Sequence, residues 1–548
     1  MNLTRLFTSL LVLTLTSASA QEKSILQRAM QDELDRSMKE LKLDTLAPPF
    51  YISYTVTDVK INTLLATLGG ITNAVEVPNR SKGVRVLVGN YELNDESLDN
   101  NLFSQPEANE IALPLDDDYL GIRRAFWTTT DNVYKNAARQ NAKNKADLRD
   151  QRKTIGEVPH RTFAQVSPVT ISKPSPSLSF DAPLWEQNLR ELSALFIHRN
   201  VQSSRVILNY VRGTNYFINS EGTSIQSPVQ NLTLAIMAQT KTEEGEMVID
   251  QLEFHEQTPE QLPSMVELKK QVTEFIDRVE TAVASPSLLE EYNGPVLLAG
   301  PAVADVFAKA LFQGRDQLIA DNGLPNPSGY RSDRNAGLEL KIGKSVASPN
   351  LTVTANPSME LYKGKRLLGA FLADSEGVVP KSELVLIDKG ILLAQLNDRT
   401  LTQADQTANG HSDGPGVITV KISDGTAEAT VKAKFIDEVK KEGLSSGLLI
   451  RSTSFGSSGI YNMYEVDAVT GQEKFIRSAR FSALSLKNLK KILGSSSEAA
   501  AHNVSQGGNN VLSMIVPTLV LLGDMDVQPA EMPMLKEEVF VKSPLAKN

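Results

Sequence analysis

The sequence predicts an α+β protein: a mixed helix and antiparallel-sheet region, then a β-rich C-terminal domain of barrel- or sandwich-like build. Three observations predict it. The chain has 548 residues, more than one hydrophobic core usually serves, so at least two domains are expected. A helix followed by strands occurs twice before residue 290. From Tyr292 onward the texture changes to short strands separated by Gly, Asp and Asn turns.

The first element is a helix. Ser24 with Gln27 forms a capping-box pattern, and Leu26, Met30, Leu34, Met38 and Leu41 follow at helical spacing. Pro48-Pro49 stops it, and Tyr51–Val56 and Val84–Val88 read as strands. Asp116-Asp117-Asp118 precedes a long helical stretch, roughly Tyr119–Arg149. Acids there fit a helix N-terminus better than a calcium site, because no turn glycine with ligand spacing follows. Its basic C-terminal half (Lys135, Arg139, Lys143, Lys145, Arg149) reads as a solvated face.

Residues 165–183, rich in Pro and Ser, form a linker or edge segment. Leu184, Leu189, Leu192, Leu195 and Phe196 mark a second helix. Arg205–Val211, Tyr216–Ile218 and Leu232–Ala238 read as antiparallel strands with a turn at 219–222, and Met265–Val283 as a further amphipathic helix. In the C-terminal half, Leu384–Ile387 and Ile391–Leu396 flank the hairpin turn Asp388-Lys389-Gly390. Ile418–Ile422 and Leu448–Arg451 are strands, with a short helix near Phe435–Lys441. Val511–Leu522 is a buried apolar strand, placed in a domain core or under a subunit interface. The expected division is 1–20, 21–292 and 293–548.

Residues 1–20 read as a secretory signal: Arg5, then the apolar run Leu6–Leu15, then Ala18-Ser19-Ala20 in small-x-small form. The run is short of the roughly 20 apolar residues a membrane span needs. Cleavage after Ala20 and a periplasmic or extracellular location are therefore expected, with no integral membrane segment. Loss of Arg5 with no acid takes the formal charge from −9 to −10. No long basic block accompanies that charge, so nucleic acid is not an expected partner. There are no cysteines, which excludes disulfides, thiol catalysis and cysteine-ligated metal.

The stretch around which the C-terminal half is organised is GPVLLAGPAVADVFAKALFQG, Gly294–Gly314. Val296, Leu297 and Leu298 form a core strand, and Pro301 suits a first helical turn. Val303, Val306, Phe307, Ala310 and Leu311 then recur on one helical face. On these residues alone it is a core strand and a core helix, and nothing in it is catalytic.

That stretch resembles the segment of the TldD/PmbA metallopeptidase family in which an HExxxH helix carries zinc. DSEGVVPKSELVLIDKGILLAQLNDR, NGHSDGPG and YEVDAVTGQEKFIRSARFSALSLKNLKKILG resemble later phrases of the same family, in order, and the likeness runs from about residue 22 to 540. Active members have a phrase close to LFHEALGH where this chain has VFAKALFQ. Ala308 stands at the first His, Lys309 at the Glu and Gln313 at the second His. Alanine cannot ligate zinc, a protonated lysine repels it and an amide binds it poorly. Lys309 itself is expected to extend to solvent or into a cavity. The late ligand cysteine of active members is also absent; the matching segment, about His502–Gln506, offers Ser505.

The five histidines, His160, His198, His255, His411 and His502, stand at no metal-ligand spacing. His411-Ser412-Asp413 has the letters of a hydrolase triad, but sequence neighbours point apart and no nucleophile elbow accompanies them. The resemblance makes His411 a cavity-lining candidate, together with Ser505. No bound cofactor is expected; zinc belongs to the active members. The resemblance implies a non-catalytic subunit or peptide-binding partner, forming a homodimer or a heterodimer with an active TldD-like homologue. An active peptidase with other ligands, and a free-standing envelope binding protein, are the two alternatives it leaves open.

Overall fold

The computed structural model describes residues 24–43, 46–98, 112–155, 160–313, 317–320, 338–402, 406–455, 460–505 and 511–534. The expected signal segment 1–20, with its cleavage after Ala20, lies outside the described residues.

The N-terminal region opens with helix α1 (Ile25–Glu40), whose capping box between Ser24 and Gln27 is complete. Two strands of 19 residues follow, β1 (Pro49–Thr67) and β2 (Gly70–Val88), paired along almost their whole length. The sequence marked only the far ends of this ribbon. Its distal half carries Thr, Asn and Ala on both faces and lacks the alternation that signals a half-buried strand. Helix α2 (Tyr119–Ile155) is capped by Asp118, whose carboxylate accepts from Leu120 N–H at 3.1 Å. The acid triplet is thus a helix start.

Next come β3 (Thr162–Phe163), β4 (Thr170–Ser172), helix α3 (Ala182–Ala194), β5 (Ser203–Asn219), β6 (Ser224–Lys241), β7 (Met247–Glu256) and helix α4 (Met265–Ala284). The two strands read at 205–211 and 216–218 are one strand, β5, which Gly213 does not interrupt. That glycine lets β5 approach β1: a Cβ there would sit 2.1 Å from the Asp58 carbonyl oxygen. The sheet order is β2-β1-β5-β6-β4, with β7 also on β6. The 165–183 segment supplies β4 as an edge strand parallel to β6. Even-numbered residues of β1 face the helices: Ile52, Tyr54 and Val56 pack with α1 and α2, and Leu64 and Ala66 with α3 and α4.

The C-terminal domain begins with β8 (Tyr292–Ala299) and helix α5 (Pro301–Phe312). Short strands follow: β9 (Leu351–Ala355), β10 (Leu361–Tyr362), β11 (Lys365–Arg366), β12 (Leu384–Asp388), β13 (Ile391–Leu392), β14 (Thr400–Leu401) and β15 (Val417–Ile422). Helix α6 (Glu428–Lys441) precedes β16 (Ser446–Phe455), β17 (Ile460–Asp467) and β18 (Glu473–Phe481). The last four are β19 (Ile492–Ser495), β20 (Ala499–Ser505), β21 (Val511–Pro517) and β22 (Leu519–Pro529). They form two six-stranded sheets, β13-β12-β9-β15-β21-β20 and β18-β17-β16-β8-β22-β19. A further pairing of β18 with β22, Phe481 opposite Val527, curls the second sheet round on itself. The apolar run 511–522 is therefore not one strand. It breaks at Pro517-Thr518 and feeds one strand to each sheet, which places it in the core.

Helix α5 is the centre of this domain. One continuous core takes Val296, Ile450 and Val520 from the second sheet, Val353, Ile418 and Met514 from the first, and α5 between them. A helix enclosed by two sheets must be apolar on all sides, and α5 buries ten residues, Ala302–Ala308 and Ala310–Phe312.

Candidate functional site

Gly300, at φ 55°, turns the chain from β8 into α5, and Pro301 starts the helix without wasting a donor. Within the helix only two ionisable side chains occur, Asp305 and Lys309, one turn apart. Lys309 Nζ donates to Asp305 Oδ2 at 2.8 Å and to the Tyr461 hydroxyl of β17 at 2.9 Å. The Tyr461 hydroxyl in turn donates to Asp305 Oδ2 at 2.6 Å. The ammonium also lies 4.8 Å from the centroid of the Tyr461 ring. Burial, and then the Asp305 charge, push the Tyr461 phenol well above its ordinary range.

Lys309 therefore does not extend to solvent as its length suggested: its side chain is 14% exposed and that of Asp305 11%. The cluster closes on itself. The one buried carboxylate accepts from both other groups, and the lysine supplies the positive charge. The carboxylate that could act as a base, Asp305, is thus engaged by both donors, and Lys309 is itself a donor.

The other positions of the frame are as inert. Ala308 is fully packed, at 1% exposure. Gln313 ends α5, its N–H on the Lys309 carbonyl at 3.1 Å, with an exposed side chain. Ser505 is exposed at the end of β20, opposite Val511. On that strand His502 and Val504 share the face turned toward the α5 core. His502 pairs with Met514, which lies in the α5 core. Burial first, and Lys365 second, lower the His502 imidazole to about 4, so it is neutral at pH 7. Strand alternation against Leu512, Met514 and Val516 was the signal that would have singled it out.

His411 is buried, with its ring edge-on to Phe371 at 6.0 Å between centroids. Its Nδ1 lies 3.1 Å from the Gly414 carbonyl, an acceptor, so Nδ1 carries the proton. Asp413 accepts from the Ser375 N–H at 2.7 Å, and Ser412 Oγ meets Ser375 Oγ at 3.0 Å. No relay joins His411 to either neighbour.

Sequence reasoning missed a third group, built from the phrase that begins at Asp374 and ends at Arg399. Asp374 accepts from the N–H groups of Val378 at 2.8 Å, Glu376 at 3.1 Å and Ser412 at 3.1 Å. Burial raises its carboxyl to about 6. Arg399, fully buried, forks onto both oxygens of Glu221 at 2.7 Å and donates to the Ala164 carbonyl at 2.8 and 2.6 Å. Its guanidinium stacks 4.0 Å from the Phe163 centroid. Glu376 accepts the Arg399 N–H at 2.6 Å and is also paired with Arg85 of β2. With β3 paired to β14, these residues form the seam between the N-terminal sheet and the C-terminal domain.

The profile of the PmbA/TldA metallopeptidase C-terminal domain matches residues 294–529, which includes α5, the Asp374–Arg399 side of the seam and the His502 strand. Residues 294–529 therefore form a C-terminal domain of the TldD/PmbA type. None of the curated proteins matches it. The fold likeness extends beyond the matched domain. A proposed modulator of a DNA gyrase from Thermotoga maritima aligns with TM-score 0.55 and 14% identity, over 91% of this chain and 100% of that one. A proposed modulator of DNA gyrase from Bacteroides thetaiotaomicron gives 0.55 and 10%, over 92% and 98%. TldE from Thermococcus kodakarensis gives 0.50 and 13%, over 91% and 99%.

A metal of the kind that the matched metallopeptidase domain implies does not fit the residues of this chain. Its helix offers Ala308, Lys309 and Gln313, and its late strand offers Ser505 and one imidazole, His502. Among the described residues no three His, Cys, Asp or Glu side chains gather in a metal-holding group.

Proposed function

We propose that this chain is an exported, non-catalytic member of the TldD/PmbA family that shapes a peptide-binding cavity, or completes that of an HExxxH-bearing partner. The observation that carries this reading is Lys309, held by Asp305 and Tyr461 in the frame where active members place their catalytic Glu. Exchange of an acid for a base would simply leave a dead site; here the new cation has acquired its own buried counter-charge and a phenol, a settled arrangement. Around it, among the described residues, both sheets and the seam are formed. A retained fold with a replaced centre suits a protein whose surfaces are used while its chemistry is supplied elsewhere.

The test is capture from the native envelope fraction with the tagged mature chain, followed by light scattering with any exported HExxxH homologue recovered. A defined complex supports the reading. A concentration-independent monomer alone and in the mixture removes the partner and leaves a free-standing binding protein. The gyrase descriptions of two structural neighbours are not carried over, because identities of 14% and 10% transfer fold alone.

A further inference from the structure

Four large aliphatic side chains are exposed together at one edge of the first C-terminal sheet. Leu340 is 69% exposed, Ile342 45%, Ile391 41% and Leu393 47%. They lie on two segments joined by backbone hydrogen bonds, Gly343 N–H to the Leu392 carbonyl at 2.7 Å and Leu392 N–H to the Lys344 carbonyl at 3.0 Å. Leu392 between Ile391 and Leu393 points into the core, so its two neighbours share the outward side. Gly343, at φ 77°, is a turn with nothing within 4 Å of where a Cβ would be, and Lys389, at φ 47°, makes the adjoining hairpin turn. The face is carried by these two adjoining turns.

Its rim is basic. Lys344 and Lys389 are exposed on the two turns. Exposed Lys487 and Lys490 flank them, because Ser348 N–H donates to the Leu489 carbonyl at 2.9 Å and Ala347 N–H to the Gly390 carbonyl at 3.2 Å. Among the described residues none of these four lysines is held in an ion pair. The acid of the hairpin, Asp388, already accepts from Thr352 Oγ1 at 3.2 Å, and exposed Glu383 precedes β12. Four positive side chains gathered on a chain of formal charge −9 are a segregated charge.

Composition decides the occupant. Protein interfaces enrich aromatic residues and Arg and deplete Lys. Among the described residues this face is aliphatic and lysine-rimmed, and none of its four apolar side chains is aromatic. A bilayer surface asks for no shape complementarity, only aliphatic side chains that enter the headgroup boundary and cations that meet anionic lipid. We propose that the face formed by Leu340, Ile342, Ile391 and Leu393 docks this protein peripherally on an anionic lipid surface. This is distinct from spanning: no helix among the described residues is long and apolar enough to cross a membrane.

The experiment is co-sedimentation of the full mature chain with vesicles of phosphatidylcholine alone and of phosphatidylcholine mixed with phosphatidylglycerol. Binding is expected on the mixed vesicles and is expected to weaken with salt. Each lysine neutralised should lower partitioning roughly fivefold. The pair Lys344→Gln and Lys389→Gln, and separately Leu340→Asp with Leu393→Asp, should each release the protein. All four side chains are exposed, so unchanged thermal melts are expected to show that the fold survives. Equal sedimentation with both vesicle types, or variants that bind like the parent, would overturn the proposal. So would binding to soluble polyglutamate that the lysine pair abolishes, with no vesicle binding, since that outcome assigns the face to an acidic protein.

Discussion

Lys309 and Asp305 face each other at 2.8 Å one turn apart on α5, and the Tyr461 hydroxyl bridges them from β17. Removing one partner of such a pair strands the other in a low-dielectric interior. Lys309→Met should therefore destabilise the protein by about 1–3 kcal/mol, below the cost of a fully buried pair because both groups keep some exposure and Tyr461 still donates to Asp305. Lys309→Glu should cost more, because it sets two carboxylates together. Urea unfolding of the two variants checks the order.

Phe307 is fully buried in the α5 core. Phe307→Ala should cost roughly 3–5 kcal/mol by transfer and cavity terms. A loss equal to that of an exposed site such as Val266→Ala, measured in the same urea titration, would mean that the helix does not lie between the sheets.

Arg399 and Glu221 form the centre of the seam. Arg399→Ala should cost roughly 3–5 kcal/mol, and Arg399→Lys should recover little, because a point charge cannot fork onto Glu221 while reaching the Ala164 carbonyl. If the seam couples the two halves, the variant should also broaden or split the unfolding transition when fluorescence and circular dichroism are compared.

Asp95, next to the seam, accepts from the Val88 N–H at 2.7 Å; burial and then the Glu96 charge raise its carboxyl to about 8. A folded-state pKa above the unfolded one means that the folded chain holds the extra proton between them. Stability from this group is complete below the unfolded pKa near 3.8 and falls as pH rises toward about 8. Asp95→Asn keeps the acceptor and removes the titration. The variant should gain on the parent as pH is raised from 4 to 8 and match it at pH 4, read from paired thermal melts.

How much of this was legible in the sequence differs by element. The capping box of α1, the Asp118 cap, the hairpin at Lys389 and the apolar frame of α5 were legible because each is set by local chemistry. The long β1–β2 ribbon was only half visible: the outer part of β2 is exposed, and the outer part of β1 buries only Asn62, Leu64 and Ala66 on a stretch rich in Thr and Asn. The strands at 205–211 and 216–218 were read apart although they are one, because the close approach of β1 at Gly213 leaves no mark in sequence. The replaced motif could be read residue by residue, but not the partner that settles Lys309: Tyr461 lies 152 residues away. Arg399 could be placed in a phrase, yet its role as a seam depended on Glu221 and Ala164, in another part of the chain.

The central claim is that the α5 frame holds a lysine-centred charge cluster and no metal. Its most direct measurement is the zinc content of the mature protein after incubation with equimolar zinc and desalting, with cleavage of an unstructured peptide followed in the same sample. No stoichiometric zinc and no cleavage are predicted. One equivalent of retained zinc, with peptide cleavage that a chelator abolishes, would contradict the account.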